Sequence, residues 1–173
     1  ETSSGRFVCR LFPDQCPITV GNFGGLATGE SPWTDPRGKR VEGRPPILID
    51  VAHNPHGAAS LAAHLAGGRL RPRFVLGTLA TKDVEGIARA LWAEGRVLHA
   101  CAPAMPNAHS AERVASAWPG SAFAHASVVE ALAAARTAAK PDELVVVTGS
   151  HYTVAEARAE LLGITDVDRP IAL

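Results

Sequence analysis

From residue 47 onward, short apolar runs alternate with segments whose hydrophobic residues recur at helical spacing, and this alternation restricts the fold more than any other feature. Strands that alternate with helices in this way pair in parallel through right-handed crossovers. The predicted strands are 47–52, 73–78, 96–101, 122–124 and 144–148, and the predicted helices are 55–66, 83–93, 110–118, 127–139 and 153–163. The expected fold class is therefore α/β, a Rossmann-like three-layer sandwich with a mostly parallel sheet.

The first 46 residues lack this alternation. Residues 7–12 alternate in the manner of a strand, which predicts one antiparallel edge strand. Proline and glycine are so frequent between 13 and 46 that only short strands and turns fit there, as in an insertion. The predicted organisation is an opening strand 1–12 after an interdomain linker, an insertion 13–46, a Rossmann-like domain 47–163 and a tail 164–173. Because the chain starts at Glu1, we expect it to be the downstream part of a longer polypeptide.

Composition narrows the class of partners. The 173 residues include 17 Lys and Arg against 17 Asp and Glu, so the chain carries no net charge that would attract nucleic acid or an anionic membrane. No apolar run approaches the ~20 residues of a transmembrane helix, and no secretory signal is present. Three cysteines without zinc spacing are typical of reduced thiols in a cytoplasmic protein. We expect a monomer that holds no metal ion through its own residues.

Unusual polar residues follow three of the predicted strands. They are Asp50, His53 and Asn54 after the first, Thr78, Thr81, Lys82 and Asp83 after the second, and Thr148, Ser150, His151 and Tyr152 after the last. The carboxyl ends of parallel strands lie at one edge of a sheet, so these residues are expected to line one crevice. A lysine and a helix N-terminus attract phosphate oxygens, and a carboxylate accepts hydrogen bonds from ribose hydroxyls. The pattern predicts a site for a phosphorylated ligand.

Structural interpretations of the same residues remain open. Asp50 and His53 fit ordinary turn chemistry, Asp83 fits a helix N-cap, Ser150 fits a turn cap, and Tyr152 fits a packing position. Capping boxes are predicted at Ser127 with Glu130 and at Thr153 with Glu156. Four histidines show no partner pattern and are expected at surface or satisfied positions: His64, His99, His109 and His125.

Several nucleotide and hydrolase motifs are absent. The sequence contains no G-x-G-x-x-G fingerprint, no G-x-x-x-x-G-K-[ST] phosphate loop and no nucleophile elbow. The chain therefore lacks the usual means of holding a nucleoside triphosphate by itself.

Four motifs resemble one family. Asp50-Val51-Ala52-His53-Asn54-Pro55 is similar to the D-[GV]-A-H-N-P of the carboxyl-terminal domain of bacterial bifunctional dihydrofolate synthase/folylpolyglutamate synthases, in the Mur ligase superfamily. The segment 77–83 resembles the family's G-x-x-x-D-K-D, 145–154 resembles V-L-V-x-G-S-[FH]-x-T-V, and 5–7 resembles P-G-R-[FL]. Thr81 replaces the first aspartate of D-K-D, and the segment between Arg6 and Asp50 is longer than in the family.

The resemblance implies a reaction and a set of roles. ATP converts a substrate carboxylate to an acyl phosphate, and the amino group of L-glutamate then displaces phosphate. An N-terminal ATPase domain of the same polypeptide would supply the phosphate loop and most Mg²⁺ ligands, and the substrate would be dihydropteroate or a folate. ATP-binding residues would be Arg6, Asp50, His53 and Asn54; catalytic residues Lys82, Asp83 and Ser150; glutamate-binding residues Lys82, Ser150 and Tyr152.

Two other readings stay open. One is a Mur-type ligase that adds an amino acid to a peptidoglycan precursor. The other is a non-catalytic nucleotide- or ligand-binding module, which Thr81 and the long insertion favour. If the family reading holds, half of the active site lies in another domain, and we expect this chain alone to be catalytically incompetent.

Overall fold

The computed structural model describes residues 45–164, in which five strands alternate with five helices. The strands are β1 (Ile47–Ile49), β2 (Arg71–Leu76), β3 (Val97–Ala100), β4 (Ala122–Ala124) and β5 (Glu143–Thr148). The helices are α1 (Pro55–Ala66), α2 (Val84–Leu91), α3 (Ala111–Ser116), α4 (Val128–Ala138) and α5 (His151–Leu162). The predicted opening strand with its antiparallel pairing, the insertion, Arg6 and all but the first residue of the tail lie outside the described residues.

The five strands form one parallel sheet in the order β1-β5-β2-β3-β4. The last strand in sequence lies between the first two, with Val145 paired to Ile47 on one side and to Arg73 on the other. The crossover through α1 therefore passes over β5, whereas the next two crossovers join neighbouring strands. This topology confirms the predicted α/β class.

Each face of the sheet has its own hydrophobic core. Phe74 packs with Leu61 of α1 and Ile87 of α2 on one face, while the next residue, Val75, packs with Leu132 of α4 on the other. Successive side chains of a strand point to opposite faces, so a strand buried on both faces reads as a continuous apolar run. The helices thus form two layers around the sheet, as predicted. No helix within residues 45–164 is long and apolar enough to cross a membrane.

One predicted helix start is wrong. The pattern of Thr153 and Glu156 predicts a capping box, but α5 begins two residues earlier, with Ser150 as its N-cap. Ser150 has extended backbone angles, φ −159° and ψ 159°, and its hydroxyl accepts from the Thr153 N–H, so the helix already has a cap there. The two side chains of the predicted box serve tertiary contacts instead: Thr153 donates to the Gly77 carbonyl, and Glu156 accepts from the Ala104 N–H.

The other predicted capping box is present in modified form. Ser127 accepts from the Glu130 N–H at 3.1 Å, as predicted. The Glu130 carboxylate accepts from the N–H of Ala126, at 3.1 Å, whereas the usual box returns to the cap residue itself. The exposed donors at the start of α4 are nevertheless satisfied by side chains.

A chain of polar side chains is buried beneath α4. The Arg73 guanidinium donates to both oxygens of Glu143, at 3.0 and 3.3 Å, and its Nη1 lies 3.3 Å from His99 Nε2. A guanidinium can only donate, so His99 Nε2 accepts and its Nδ1 carries the proton. That proton is donated to His125 Nε2 over 3.0 Å. The two histidines therefore satisfy each other, a pairing that no sequence pattern indicated.

This network makes the stability of the fold depend on pH. Burial, followed by the charges of His125 and Arg73, lowers the pKa of His99 from 6.5 to about 4. The unfolded chain takes up this proton near pH 6.5 and the folded chain only near pH 4, so the folded state binds fewer protons in between. The contribution of neutral His99 to the free energy of unfolding is therefore fully present above pH 6.5, and it is lost as the pH falls toward 4.

The variant His99→Gln should remove this dependence. Glutamine keeps an acceptor for Arg73 and a donor for His125 but does not titrate. In urea denaturation, the unaltered chain should lose on the order of 2 kcal/mol more unfolding free energy than the variant between about pH 7 and about pH 4.5. Equal losses in the two proteins would show that His99 does not carry the effect.

Candidate functional site

The strand order places a topological switch point at the carboxyl end of β5. The helices that follow β1 and β2 pack on one face of the sheet, and the helix that follows β5 packs on the other. The chain therefore turns to opposite faces on both sides of β5. Ligands of open α/β sheets bind at such switch points, outside the carboxyl ends of the strands. The three polar segments that the sequence singled out follow these three adjacent strands.

The segment after β1 is tied to the end of β5. The Asp50 N–H donates to the Val147 carbonyl at 3.0 Å, and the Gly149 N–H donates to the Val51 carbonyl at 2.9 Å. The hydrogen bonds of the parallel β1–β5 pair thus continue past the ends of both strands. They hold Asp50 at the carboxyl edge of the sheet, where it is exposed. Ala52 follows with φ +25°, a conformation that L-residues rarely adopt, and the chain then enters α1.

Asn54 begins α1. Its Oδ1 accepts from the Gly57 N–H at 2.8 Å, and Pro55 occupies the first helical turn, where its missing N–H costs nothing. The Asn54 amide nitrogen lies 3.5 Å from His53 Nε2. The side-chain oxygen of Asn54 is therefore engaged by the helix, and only its amide nitrogen faces His53.

A cleft of about 520 Å³ lies between β1 and α1. Its lining residues are Leu48, Asp50, Ala52, His53, Asn54, Gly57, Ser60, Leu61 and His64. It brings together the three predicted ATP-binding residues that the structure describes. The predicted glutamate-side residues do not line it: Lys82, Asp83, Ser150 and Tyr152 follow the two strands beside β1.

Two imidazoles lie close together between the loop after β1 and the start of α5. The ring centroids of His53 and His151 are 5.7 Å apart and their planes are inclined by 34°. His151 is the first residue of α5, so the pair joins the loop after β1 to the helix after β5. His151 is one of the polar residues that follow the last predicted strand, and no role was predicted for it. The motif around it predicts that the loop after β5 is functional. Its proximity to His53 follows from the order of the strands, which no sequence motif indicates.

The segment after β2 carries Lys82 on a well-anchored loop. Asp83 is the N-cap of α2 and accepts from the Gly86 N–H at 2.8 Å, so the structural interpretation of this residue is confirmed. His109 anchors the loop from the β3 side. Its backbone N–H donates to the Thr78 carbonyl at 2.9 Å, and its ring Nε2 lies 3.4 Å from the Lys82 carbonyl oxygen. The histidine that the sequence left without a partner thus contacts the backbone of the predicted catalytic lysine.

The segment after β5 is buried at its start. Ser150 is 3% exposed and caps α5, whereas Tyr152, two residues later, is half-buried. The hydroxyls of Thr78 and Thr148, at the ends of the two adjacent strands, are fully buried and have no hydrogen-bond partner within the described residues. Both threonines belong to the polar segments predicted from the sequence, but no sequence pattern indicates that their hydroxyls lack a partner among the described residues.

Among the described residues, this edge of the sheet holds neither a thiol nucleophile nor a group of metal ligands. Cys101 follows β3, and burial, with a smaller effect from the charge of Glu156, raises the pKa of its thiol to about 12. The thiol therefore stays protonated at neutral pH. Within residues 45–164, no three side chains of the His, Cys, Asp or Glu type are grouped so that they could hold a metal ion. The polar side chains that follow these strands are instead a lysine, hydroxyls, imidazoles and single carboxylates.

Comparisons with known proteins agree on one family. The profile of the family described as "Mur ligase, glutamate ligase domain" matches residues 37–151. The chain is 35% identical over 119 residues to the dihydrofolate synthase/folylpolyglutamate synthase of Escherichia coli, a match that covers 66% of this chain and 28% of that protein. It is 34% identical over 132 residues to a probable bifunctional folylpolyglutamate synthase/dihydropteroate synthase of Halobacterium salinarum, covering 72% of this chain and 16% of that protein.

A solved structure extends the likeness to the fold. A bifunctional folylpolyglutamate synthase/dihydrofolate synthase with Mn, AMPPNP and L-glutamate bound has a TM-score of 0.59 and 30% identity. The match covers 81% of this chain and 38% of that one. The chain thus spans well under half the length of these relatives.

The close approach of two glycines at this edge can be tested. Gly149 has φ +108°, and a Cβ there would lie 2.5 Å from both the Gly77 carbonyl oxygen and a Leu76 methyl group. Gly149→Ala should lower the free energy of unfolding by roughly 3 kcal/mol or more, since strain and overlap add. Gly95 also has a positive φ, +79°, but open space around it.

The matched control is Gly95→Ala, which should cost only about 1 kcal/mol from the backbone conformation. Urea denaturation of the two variants measures the difference. Similar losses at both positions would mean that the two loops are not packed as closely as the structure has them.

Proposed function

The chain belongs to the family of Mur ligase glutamate ligase domains, and from this premise we propose that it is the carboxyl-terminal domain of an ATP-dependent ligase that adds L-glutamate to dihydropteroate or folates. The observation that carries the proposal is the sheet order, which places the Asp50–Asn54 loop, the Lys82 loop and the Ser150 loop on three adjacent strands. Relatives with the same domain are named for this activity.

The proposed reaction has two steps. A carboxylate oxygen of the pteroate or folate takes the γ-phosphoryl group of ATP, which yields an acyl phosphate and ADP. The amino nitrogen of L-glutamate then attacks the acyl carbon, the bond from carbon to the phosphate oxygen breaks, and the nitrogen loses a proton. Both steps develop negative charge, so a fixed cation and a closed site that excludes water favour them.

We propose that the β1–α1 side serves the nucleotide. The Asp50 carboxylate is exposed at the rim of the cleft and suits the two hydroxyls of a ribose. His53 and Asn54 line the same cleft, and Asn54 keeps its amide nitrogen free of the helix cap. We also propose that Arg6, which lies outside the described residues, contacts the ATP phosphates.

We propose that the β5 and β2 loops serve L-glutamate. Lys82 supplies the charge that attracts the carboxylates of L-glutamate and balances the developing anion, and Tyr152, on the loop after β5, is half-buried and offers a hydroxyl. Asp83 and Ser150 act in this step by fixing the two loops, because each caps the helix that follows. The solved relative with L-glutamate bound supports the proposal that proteins of this family hold the amino acid.

We further propose that the nucleotide lies between this domain and an N-terminal ATPase domain of the same polypeptide, which holds Mg²⁺. The described residues offer carboxylates one at a time, so the metal ligands would come mainly from the other domain and the phosphates. The chain alone would then release no phosphate from ATP. We place the protein in the cytoplasm, where ATP and folates are available.

Binding to the isotope-labelled 173-residue chain tests this assignment. In amide NMR spectra, Mg·ADP should shift signals of residues 50–57, and L-glutamate should shift those of 82–83 and 149–152. Asp50→Ala should weaken the response to Mg·ADP about tenfold, the loss of one or two charged hydrogen bonds. The control Asp142→Ala removes a carboxylate that pairs with Arg71 at the opposite end of the sheet.

The control should bind both ligands as the unaltered chain does. If millimolar Mg·ADP and L-glutamate shift none of these amides, the assignment is wrong. Phosphate release by the chain alone, dependent on glutamate and a folate, would refute the claim that half of the active site lies in another domain.

A further inference from the structure

We propose that Thr153 is a positioning residue for the glutamate-adding step, because its hydroxyl couples the loop that carries Ser150 to the loop that leads to Lys82. The proposal rests on the function proposed above. Thr153 is the third residue of α5, is completely buried and touches no solvent. It therefore acts through the two loops and not on a substrate.

The hydrogen bonds around Thr153 have only one consistent set of directions. The Gly77 carbonyl can only accept, so the single hydroxyl proton of Thr153 is donated to it, over 2.9 Å. The contact of 2.9 Å between the two hydroxyl oxygens then requires Ser150 to donate and Thr153 to accept. Ser150 in turn accepts from the Thr153 N–H at 3.0 Å. The three bonds form a closed link between the start of α5 and the end of β2.

This link leaves Ser150 little capacity to bind a ligand directly. Its proton is directed to Thr153 and one lone pair is directed to the helix, and its side chain is 3% exposed. The parts of this loop that a ligand can reach are further along, at His151, which is exposed, and at Tyr152, which is half-buried. Thr153 thus fixes Ser150, and Ser150 fixes the backbone that presents these two residues.

The same link sets the position of the β2 loop. A Cβ on Gly77 would lie 2.6 Å from Thr153 Oγ1 and 3.0 Å from the Cys101 carbonyl oxygen, so the two segments are in direct contact. The Gly77 N–H donates to the Thr148 carbonyl at 3.3 Å, which ties the same residue to β5. From Gly77 the chain reaches Lys82 through a short loop whose far side is anchored by His109. Loss of the Thr153 hydroxyl removes one of the two hydrogen bonds that hold Gly77, at the near side of that loop, to the end of β5 and the start of α5.

Variants of Thr153 separate this role from simple packing. Thr153→Val keeps the volume and removes the donor and the acceptor, whereas Thr153→Ser keeps the hydroxyl. If Thr153→Val does not fold, Thr153→Ala carries the same expectation without a branched apolar group. Thr137→Val is the control, because that hydroxyl is exposed on α4 and bonds only to Ala133 of its own helix.

The first measurement needs no ligand. Amide hydrogen exchange of the 173-residue chain should accelerate in Thr153→Val on both linked segments, 77–83 and 149–153, and stay unchanged in α3. Thr153→Ser and Thr137→Val should exchange as the unaltered chain does. Unchanged exchange on 77–83 in Thr153→Val would overturn the coupling.

The second measurement is affinity from the same spectra. Thr153→Val should weaken L-glutamate binding about tenfold, the scale of one hydrogen bond, with Mg·ADP binding within about twofold of the unaltered chain. Thr153→Ser should restore the glutamate affinity to within about threefold. Equal weakening of both ligands, or no rescue by serine, would overturn the positioning role.

The two proposals fail in different ways. An unaltered chain that shows no response to L-glutamate at 82–83 and 149–152 contradicts the proposed function, whatever the exchange rates are. An unaltered chain that binds L-glutamate while Thr153→Val binds it equally well contradicts the positioning role alone.

Discussion

The position of β5 between β1 and β2 is the constraint on which the described structure depends. Its central valines are buried on both faces, and its backbone groups bond to a strand on each side. An unpaired backbone group in such a place would cost a full hydrogen bond, so β5 is stable only with both neighbours present. Because the pairing is parallel, the same arrangement brings three polar loops to one edge. The core and the candidate site therefore have one origin.

Three of the predicted site residues begin helices. Asn54, Asp83 and Ser150 each accept a hydrogen bond from a backbone N–H in the first turn of the helix that follows. Short polar side chains at the end of a strand suit both a helix cap and a ligand, so the sequence left both interpretations open. The structure shows all three side chains in use as helix caps, whereas Asp50, His53 and Lys82 cap none of the helices within residues 45–164.

The buried network under α4 shows what a satisfied polar cluster looks like in the same fold. Arg73 and Glu143 are each less than a tenth exposed and hold each other by two hydrogen bonds, with His99 completing the guanidinium contacts. Breaking such a pair would leave a buried charge without compensation. Near the carboxyl ends of the strands, by contrast, the Thr78 and Thr148 hydroxyls remain without protein partners among the described residues. The polar groups under α4 therefore satisfy one another, whereas these two hydroxyls are not satisfied by any described protein group.

The sequence by itself determined the kind and order of the elements between residues 45 and 164, because apolar period, caps and turn residues act over a few neighbours. It also indicated which loops are unusual, through Asp50, Lys82 and Ser150. Only the tertiary structure decided that β5 lies between β1 and β2, that His53 faces His151, and that Thr153 holds Gly77 instead of capping a helix. Those contacts join residues far apart in the chain, and burial of both sheet faces selects them. A pattern of neighbouring residues in the sequence therefore does not predict these contacts.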